Sequence, residues 1–493
     1  MARFARGLRL ISMRVAIIGG GIAGLAAAYE LELARRAGAP IEYELFEAGP
    51  RLGGVISSAV VGGTVIERGP DSFLTEKPAA AELCRELGLE QALVPSNDAE
   101  RRTFILVRNR LVPLPDGLMF LVPTKLIPMA LTPLFGWATK LRMLLEFTRG
   151  SGGRSAGDSE DESVAALVKR HYGQEAVDRL ADPLLSGIYG GDAAQLSAAA
   201  VLPRLVEMEA KHGSLTRGML AGMRERRNAA ELAGETLPPP KPLFTTLRFG
   251  LQQMIDALTA RLDAGRLHLH APVSSVDRVG DGWRVHCSGS ALAFDAVIIA
   301  TPAWAAAGML EAADSVLSAE LDAIPYSSSV TVNLVYDGAD LDPLPEGFGF
   351  LVPAVEKRAM LACTFIHRKF IGRTAAGKSV IRVFLGGAHN AALLAESDVA
   401  LSSMVRKELF EILHISAVPE LVEIQRWPRA MAQYAIGHAE RQQRIKARLA
   451  ALPGLHLVGN AYDGIGISDC IRLGRGAARE LLGRAKGVSE PVA

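Results

Sequence analysis

Three glycines at fixed spacing are the first residues in this chain with a chemical reading. Gly19, Gly21 and Gly24 lie within Gly19-Gly20-Gly21-Ile22-Ala23-Gly24, directly after the apolar run Val15-Ala16-Ile17-Ile18 and before a helical pattern through Leu33. In a strand–turn–helix unit the first glycine permits the tight turn, the second admits a pyrophosphate to the backbone, and the third lets helix and strand pack closely. The helix N-terminus then offers free N–H groups and a positive dipole end to the phosphates. A second apolar strand pattern, Ile41–Phe46, ends on Glu47. An acidic residue about 20 positions beyond such glycines can accept hydrogen bonds from a ribose. Arg51, Gly53, Gly54 and Val55 follow. Arg51 can neutralise pyrophosphate charge, and the glycine pair lets the chain pass close to a flat ring.

Further glycine-dense passages recur downstream. Gly69-Pro70-Asp71-Ser72 marks a tight backbone path. Ser186-Gly187-Ile188-Tyr189-Gly190-Gly191-Asp192 reads as a break between helices that a large planar ligand could approach, or as a plain loop. Near the end, a strand pattern at Leu455–Val458 precedes Gly459-Asn460-Ala461-Tyr462-Asp463-Gly464-Ile465-Gly466-Ile467, and a helix pattern follows. That unit presents a second helix N-terminus, suited to the edge of a ring that gains negative charge.

The elements that must position these residues are many. A chain of 493 residues exceeds one ordinary core. We expect three regions: 13–76, 246–318 and 430–485 for the nucleotide; 77–205, mainly helical; and 206–245 with 319–429 for the substrate. Strand patterns at 330–336, 349–352, 360–365 and 380–385 predict an antiparallel sheet in the last of these, with a helix over 402–413 behind it. The net charge of +1 suggests no nucleic-acid surface. Four cysteines without C-x-x-C spacing argue against a zinc site and a disulfide framework, and fit a reducing, cytoplasmic compartment. Residues 1–12 read as a leader outside the fold, 150–163 as an exposed linker, and 224–241 as a mobile loop. Leu118–Phe147 is rich in Leu, Met, Phe and Trp, broken by Pro123, Pro128 and Pro133, and carries Lys125, Lys140 and Arg142. It suits short helices in a membrane interface, or a buried helical layer under a lid.

GGGIAGL, EAGPRLGG, ERGPDSF, SGIYGGD, GFGFLVP, RWPRAMAQYAIGH and GNAYDGIGISDCI together resemble the oxygen-dependent protoporphyrinogen oxidases of the flavin amine oxidase superfamily. The motifs span residues 19–471. The resemblance implies an α/β fold with α+β lobes: a Rossmann-like FAD domain of discontinuous segments, an antiparallel-sheet substrate domain and a helical membrane-associating domain. It implies FAD, protoporphyrinogen IX as the substrate, oxidised in three two-electron rounds, and molecular oxygen as acceptor with peroxide as product. It also implies a homodimer, product hand-off to ferrochelatase, and attachment to the inner face of the cell membrane. Carried over by position, the FAD residues are Gly19 to Gly24, Glu47, Arg51, Gly54, Val55, Gly69, Pro70, Asp71, Ser72, Val273, Asn460, Ile465, Gly466 and Ile467. Gly187, Leu351, Phe365 and Phe370 are candidates to hold the macrocycle. Animal and plant members carry arginine or another residue where this chain has Asp71, so the resemblance leaves substrate carboxylates to Arg358, Arg368, Lys369 or Lys77. Coproporphyrinogen III, with four carboxylates, is the alternative substrate; another amine oxidase or desaturase activity is a further one. No Ser/His/Asp or Cys/His arrangement stands out, and hydride transfer to a flavin needs no side-chain base.

Overall fold

A computed structural model describes residues 12–119, 121–148, 161–232, 241–341 and 344–487. Residues 1–11 of the leader and the prolines at 238–240 lie outside these residues, as does most of the 150–163 linker.

Five parallel strands form the nucleotide-side sheet, in the order Leu267–His268, Ile41–Phe46, Met13–Ile18, Ala296–Ile299 and Leu455–Leu457. Val15 faces Tyr43 on one side and Ala296 on the other. The Met13–Ile18 strand is therefore central and covered on both faces, and Val15, Ala16 and Ile17 have no exposure. That is why its run is apolar throughout rather than alternating. One face packs against the helices Ile22–Arg36, Gln252–Arg261 and Ile467–Gly487. The other carries the antiparallel meander Val273–Val279, Gly282–Cys287 and Ser290–Phe294, with the Ala303–Leu310 and Ser315–Asp322 helices.

A second sheet has seven strands, in the order Leu421–Ala432, Tyr326–Asp337, Lys378–Gly386, Met360–Phe365, Gly349–Leu351, Thr103–Val107 and Arg110–Pro113. Val332, Val383 and Phe365 point to one face, which the Asp398–Leu413 helix covers with Leu401, Val405 and Leu409. The Thr103–Pro113 hairpin, grouped above with the helical region, joins this sheet through a parallel pairing of Thr103–Ile105 with Gly349–Leu351. A lone hairpin is marginal in water, and here it completes an edge.

The helical region packs Val164–Tyr172 and Asp182–Tyr189 against the short Leu126–Leu131 and Trp137–Glu146 helices. Ser163 caps the first of these, its Oγ accepting from Ala166 N at 3.1 Å. Glu146 ties the layer together. Its carboxylate accepts from the N–H groups of Leu215 (2.6 Å) and Thr216 (3.3 Å) and from Ser214 Oγ (3.0 Å). It also meets His171 Nδ1 at 3.1 Å, while His171 Nε2 meets Glu209 at 2.9 Å. Burial alone would lower the His171 pKa, but the two carboxylates outweigh it and hold the pKa above its ordinary value.

Two expectations change. The charged stretch from 224 is helical as far as Leu232, within Leu215–Leu232, because Leu215 and Met219 anchor the helix in the core. The SGIY segment is not a break but the last turn of Asp182–Tyr189, which ends at Gly190 with φ +58°.

Gly474 marks the close crossing of the Ile467–Gly487 helix over the Ile22–Arg36 helix. A Cβ there would lie 2.1 Å from the Ala23 carbonyl oxygen, whereas one at Gly476 would meet nothing within 4 Å. Gly474→Val should lower stability by about 1–3 kcal/mol. Gly476→Ala should raise it by up to about 1 kcal/mol. Urea unfolding of the two variants checks this, and equal effects would contradict it.

Candidate active site

The three glycines of the first turn do three different jobs. Gly19 has φ +107°, and a Cβ there would lie 2.8 Å from the Ala300 carbonyl oxygen. A Cβ on Gly24 would lie 2.0 Å from the Gly19 oxygen, so helix and strand touch there. A Cβ on Gly21 would meet nothing within 4 Å. Gly21 therefore faces open space at the N-cap of Ile22–Arg36, with Ile22 and Ala23 forming the first turn. Glu47 closes the loop from the next strand. One carboxylate oxygen accepts from Gly20 N at 2.7 Å and the other from Gly49 N at 2.8 Å, leaving further lone pairs for a hydroxyl. Ala271 N and His270 N donate to the carbonyls of Glu47 (2.9 Å) and Gly49 (3.1 Å), which brings the strand that begins at Val273 beside Glu47.

From the phosphate turn the cleft continues along a second chain passage. Gly53 N donates to Gly20 O at 2.8 Å, and a Cβ on Gly54 would lie 3.2 Å from the Gly21 Cα. Arg51 donates to the carbonyls of Leu52 (3.2 Å) and Ile56 (3.0 Å) and to that of Gly54. Its guanidinium thus holds the glycine turn shut, a task its spacing alone did not show. Burial, then the nearby Arg68 charge, lower its pKa. Val55 is 41 % exposed, and a Cβ on Gly69 would lie 1.7 Å from its carbonyl oxygen. Only glycine fits there, and the contact sets Gly69 beside the glycine turn.

The Glu67–Ser72 passage is held carbonyl by carbonyl, from the seven-stranded sheet and, at Asp71, from the Phe244–Leu247 strand. Asn333 Nδ2 donates to Glu67 O at 3.0 Å. Thr331 Oγ1 (2.7 Å) and Trp427 Nε1 (2.8 Å) donate to Arg68 O. Arg382 donates to Gly69 O, and Thr246 Oγ1 to Asp71 O at 2.7 Å. Behind Pro70, Asp71 meets Lys369 Nζ at 3.1 and 3.2 Å, Ser72 Oγ at 2.6 Å and Arg382 at 3.7 Å. Burial by itself would raise the Asp71 pKa, but the Lys369 and Arg382 charges overcome it and hold the carboxyl well below its ordinary range. Glu67 pairs with Arg373 at 2.5 Å in near-complete burial, which raises its pKa despite that partner.

The C-terminal loop is held by Tyr434 and by the start of the last helix. Tyr434 OH donates to Asn460 O (3.1 Å) and accepts from Gly464 N (2.9 Å), and Asn460 Nδ2 donates to Ala430 O (3.0 Å). Gly464 has φ +103°, and a Cβ there would enter the Asp469 carboxylate. Gly466 N donates to that carboxylate at 3.2 Å, and Lys77 Nζ meets it at 2.6 Å. Ile465 is half-buried beside this turn, and Ile467 opens the Ile467–Gly487 helix.

The facing wall corrects part of the substrate expectation. Gly187 and Ile188 are exposed on the last turn of Asp182–Tyr189, and a Cβ on Gly187 would lie 3.0 Å from Leu351 Cδ2. Leu351 therefore lies half-buried against that last turn. Phe365 and Phe370 have no exposed surface. Phe365 packs among Phe350 and Ile381, and Phe370 lies under the Lys369 and Arg373 cations. Neither reaches the cleft. The aromatic on the correct face is Phe384, half-buried, in one row with Leu351, Ala362 and Thr331, with the Arg382 guanidinium 4.6 Å over its ring. Strand parity was the available signal: a residue paired with Leu351 through Ala362 shares its face. Among the proposed bases, Arg358 pairs with Glu411 and Asn109, and Arg368 lies at a separate cavity of about 290 Å³ with Asn97, Glu100 and Leu344. Lys369 is buried with Asp71; Lys77 is 46 % exposed beside Asp469.

Comparison with known proteins decides the family. Residues 22–482 match the profile of the flavin containing amine oxidoreductases. The chain belongs to that family. A coproporphyrinogen III oxidase of Bacillus subtilis is 34 % identical over 95 % of this chain and 97 % of its own. The human protoporphyrinogen oxidase is 31 % identical over 95 % and 98 %. A crystal structure from Exiguobacterium sp. 255-15, provisionally described as a protoporphyrinogen oxidase, superposes with a TM-score of 0.83 at 31 % identity, covering 96 % of this chain and 99 % of that one.

This flavin amine oxidoreductase carries FAD as its cofactor. The residues fit the group: an open space at Gly21, a free face of Glu47, and a C-terminal glycine loop whose Asp469 partner also pairs with Lys77. Gly21→Val should leave the melting temperature of the FAD-free oxidoreductase within a degree or two of wild type, because its side chain enters open space. FAD affinity should fall at least about tenfold, since that space is the phosphate approach. Flavin fluorescence titration measures it; undiminished affinity would show that Gly21 does not face the pyrophosphate.

Proposed function

We propose that this enzyme oxidises a porphyrinogen to the porphyrin through FAD, in three two-electron rounds with molecular oxygen as the acceptor. The observation that carries the reading is similarity along nearly the whole chain to oxidases named for such substrates. Coproporphyrinogen III is the favoured substrate, since the relative of that name shares 34 % identity. Protoporphyrinogen IX is the second reading, supported by the human relative at 31 %.

Bound FAD supplies a ring that accepts hydride. Gly19 to Gly24 and Glu47 would hold its pyrophosphate and ribose, with Val273 at the adenine side and Arg51 fixing the Gly53-Gly54-Val55 turn. Gly69 to Ser72 and the stretch from Asn460 to Ile467 would hold the ring itself. Gly187, Ile188, Leu351 and Phe384 offer an apolar wall to the macrocycle, and glycine at 187 leaves room for a wide flat molecule. The wall offers no proton acceptor, which suits a substrate whose own N–H protons leave to water. The side chains orient the substrate and exclude water. Lys77, half-exposed at the cleft, is the candidate partner for a substrate carboxylate.

Purified protein given each porphyrinogen under air should develop porphyrin fluorescence together with hydrogen peroxide, faster for the coproporphyrin precursor. Lys77→Ala should raise KM more than it lowers kcat. Failure of both substrates would end the reading, and a faster protoporphyrinogen reaction would reverse the preference.

We also infer that the helical region rests on an anionic lipid surface. Leu126, Ile127, Leu131, Trp137, Leu141, Leu144 and Leu145 are exposed, while Met129, Leu134, Phe135 and Met143 are buried beneath them. The buried-layer expectation therefore holds for one face alone. Lys125 and Arg142 stand exposed along the other, and Lys140 sits over the Trp137 ring at 4.8 Å. Apolar residues ringed by cations suit a headgroup layer. No described helix is long and apolar enough to cross a membrane. The protein should float with phosphatidylglycerol vesicles, and both Lys125→Glu with Lys140→Glu and Leu131→Ser with Trp137→Ser should abolish flotation. Unchanged flotation of either pair, or none by wild type, would remove the lipid surface.

A further inference from the structure

The charges behind the Gly69–Ser72 passage do not cancel. Glu67 and Asp71 supply two carboxylates, and Lys369, Arg373 and Arg382 supply three cations within the same ion-paired group. Exposure is 3 % at Glu67, 8 % at Lys369, 1 % at Arg373 and 2 % at Arg382, so water screens none of them well. The next cation along the chain, Arg68, adds nothing to the excess, because Glu423 pairs with it at 2.6 Å. Three buried guanidinium N–H groups, Arg382 Nε and Arg373 Nε and Nη1, find no acceptor among the described residues. An unmatched buried cation is costly to keep. A substrate carboxylate does not relieve it, because Arg373 and Arg382 cannot be reached from the cleft.

The geometry aims this excess at one place. Arg382 holds the Gly69 carbonyl, and Asp71, its partner, lies in the same tight passage. That passage follows the Gly21–Gly54–Val55–Gly69 contacts outward from the phosphate turn, and five residues beyond Ser72 the chain meets Asp469, beside the C-terminal loop, through Lys77. On the reading given under Proposed function, on which this inference rests, the flavin ring lies against it. Hydride transfer breaks a substrate C–H bond and delivers two electrons and one proton to the ring. One negative charge therefore appears there, while the substrate is oxidised and its N–H proton leaves to solvent. A fixed positive charge behind the ring favours the reduced state.

We propose that the uncompensated positive charge of Lys369, Arg373 and Arg382 raises the reduction potential of the bound flavin, with Arg382 as the positioning residue that couples it to the Gly69 backbone. Buried charge is weakly screened, so the effect persists at high salt.

The test is anaerobic reductive titration of the FAD-loaded protein against redox dyes, in low and high salt, followed by flavin absorbance. Arg382→Met should shift the midpoint potential down. Asp71→Asn and Glu67→Gln should each shift it up, because each removes a negative charge and preserves side-chain shape. A purely structural cluster would move all three variants the same way or not at all. Should Arg382→Met lose its flavin, the two carboxylate variants still decide. Unchanged or same-direction shifts in variants that hold FAD one to one would overturn the proposal. A wild-type protein that binds no FAD would instead overturn the cofactor reading beneath it.

Discussion

The seven-stranded sheet is tied to the nucleotide half by side chains that reach the backbone of one chain passage, Glu67–Gly69. Asn333, Thr331, Trp427 and Arg382 donate to three consecutive carbonyls, those of Glu67, Arg68 and Gly69. Each such bond contributes only about 1 kcal/mol net. Their effect is geometric: the passage leaving the nucleotide half cannot shift without stranding several polar groups at once. Asp71 and Glu67 lock the same segment from behind, and removing one member of a buried ion pair costs about 3–5 kcal/mol. Both walls of the cleft are thereby registered to one sheet, and wall residues such as Phe384 and Leu351 inherit that precision.

Seen this way, Asp71 has a different place from the one its chain position suggests. An acidic residue after Gly-Pro raises the question of which base receives a substrate carboxylate. In the structure Asp71 itself receives cations, Lys369 and Arg382, from two other segments. One of these cations, Arg382, stands on the seven-stranded sheet, and the other, Lys369, ends the short Ile366–Lys369 helix. Charge at the site is set by the fold, through contacts about 300 residues apart in sequence.

Much of this was legible in the sequence where local chemistry is self-sufficient. Gly19, Gly21 and Gly24 declared their turn because each spacing has its own steric reason, and the apolar run before them had to be a buried strand. Glu47 followed from its place at the end of the next strand. The substrate wall was not legible, because a run such as Met360–Phe365 does not say which face is inward. Phe365 and Thr364 differ by one position and by the side of the sheet they face. The neighbours that decide it, Arg382 and Phe384, lie on another strand. Arg51 was half legible: its charge was visible, its bonds to the carbonyls of Leu52, Gly54 and Ile56 were not. The exposed face of Trp137–Glu146 could not be told from a buried one, since both are apolar.

The parallel sheet has a temporal consequence. Its five strands are drawn from residues 13, 41, 267, 296 and 455 onward, so neighbours in space are made at widely separated moments on the ribosome. The Ala296–Ile299 strand waits for its outer partner until Leu455–Leu457 emerges, and the Ile22–Arg36 helix waits for Ile467–Gly487 to pack across Ala23. Until then the apolar side of an early helix is uncovered. Such long-range closure is slow and leaves the nascent chain prone to aggregation. A ligand gripping both the first turn and the last loop would bias the finished chain toward closure.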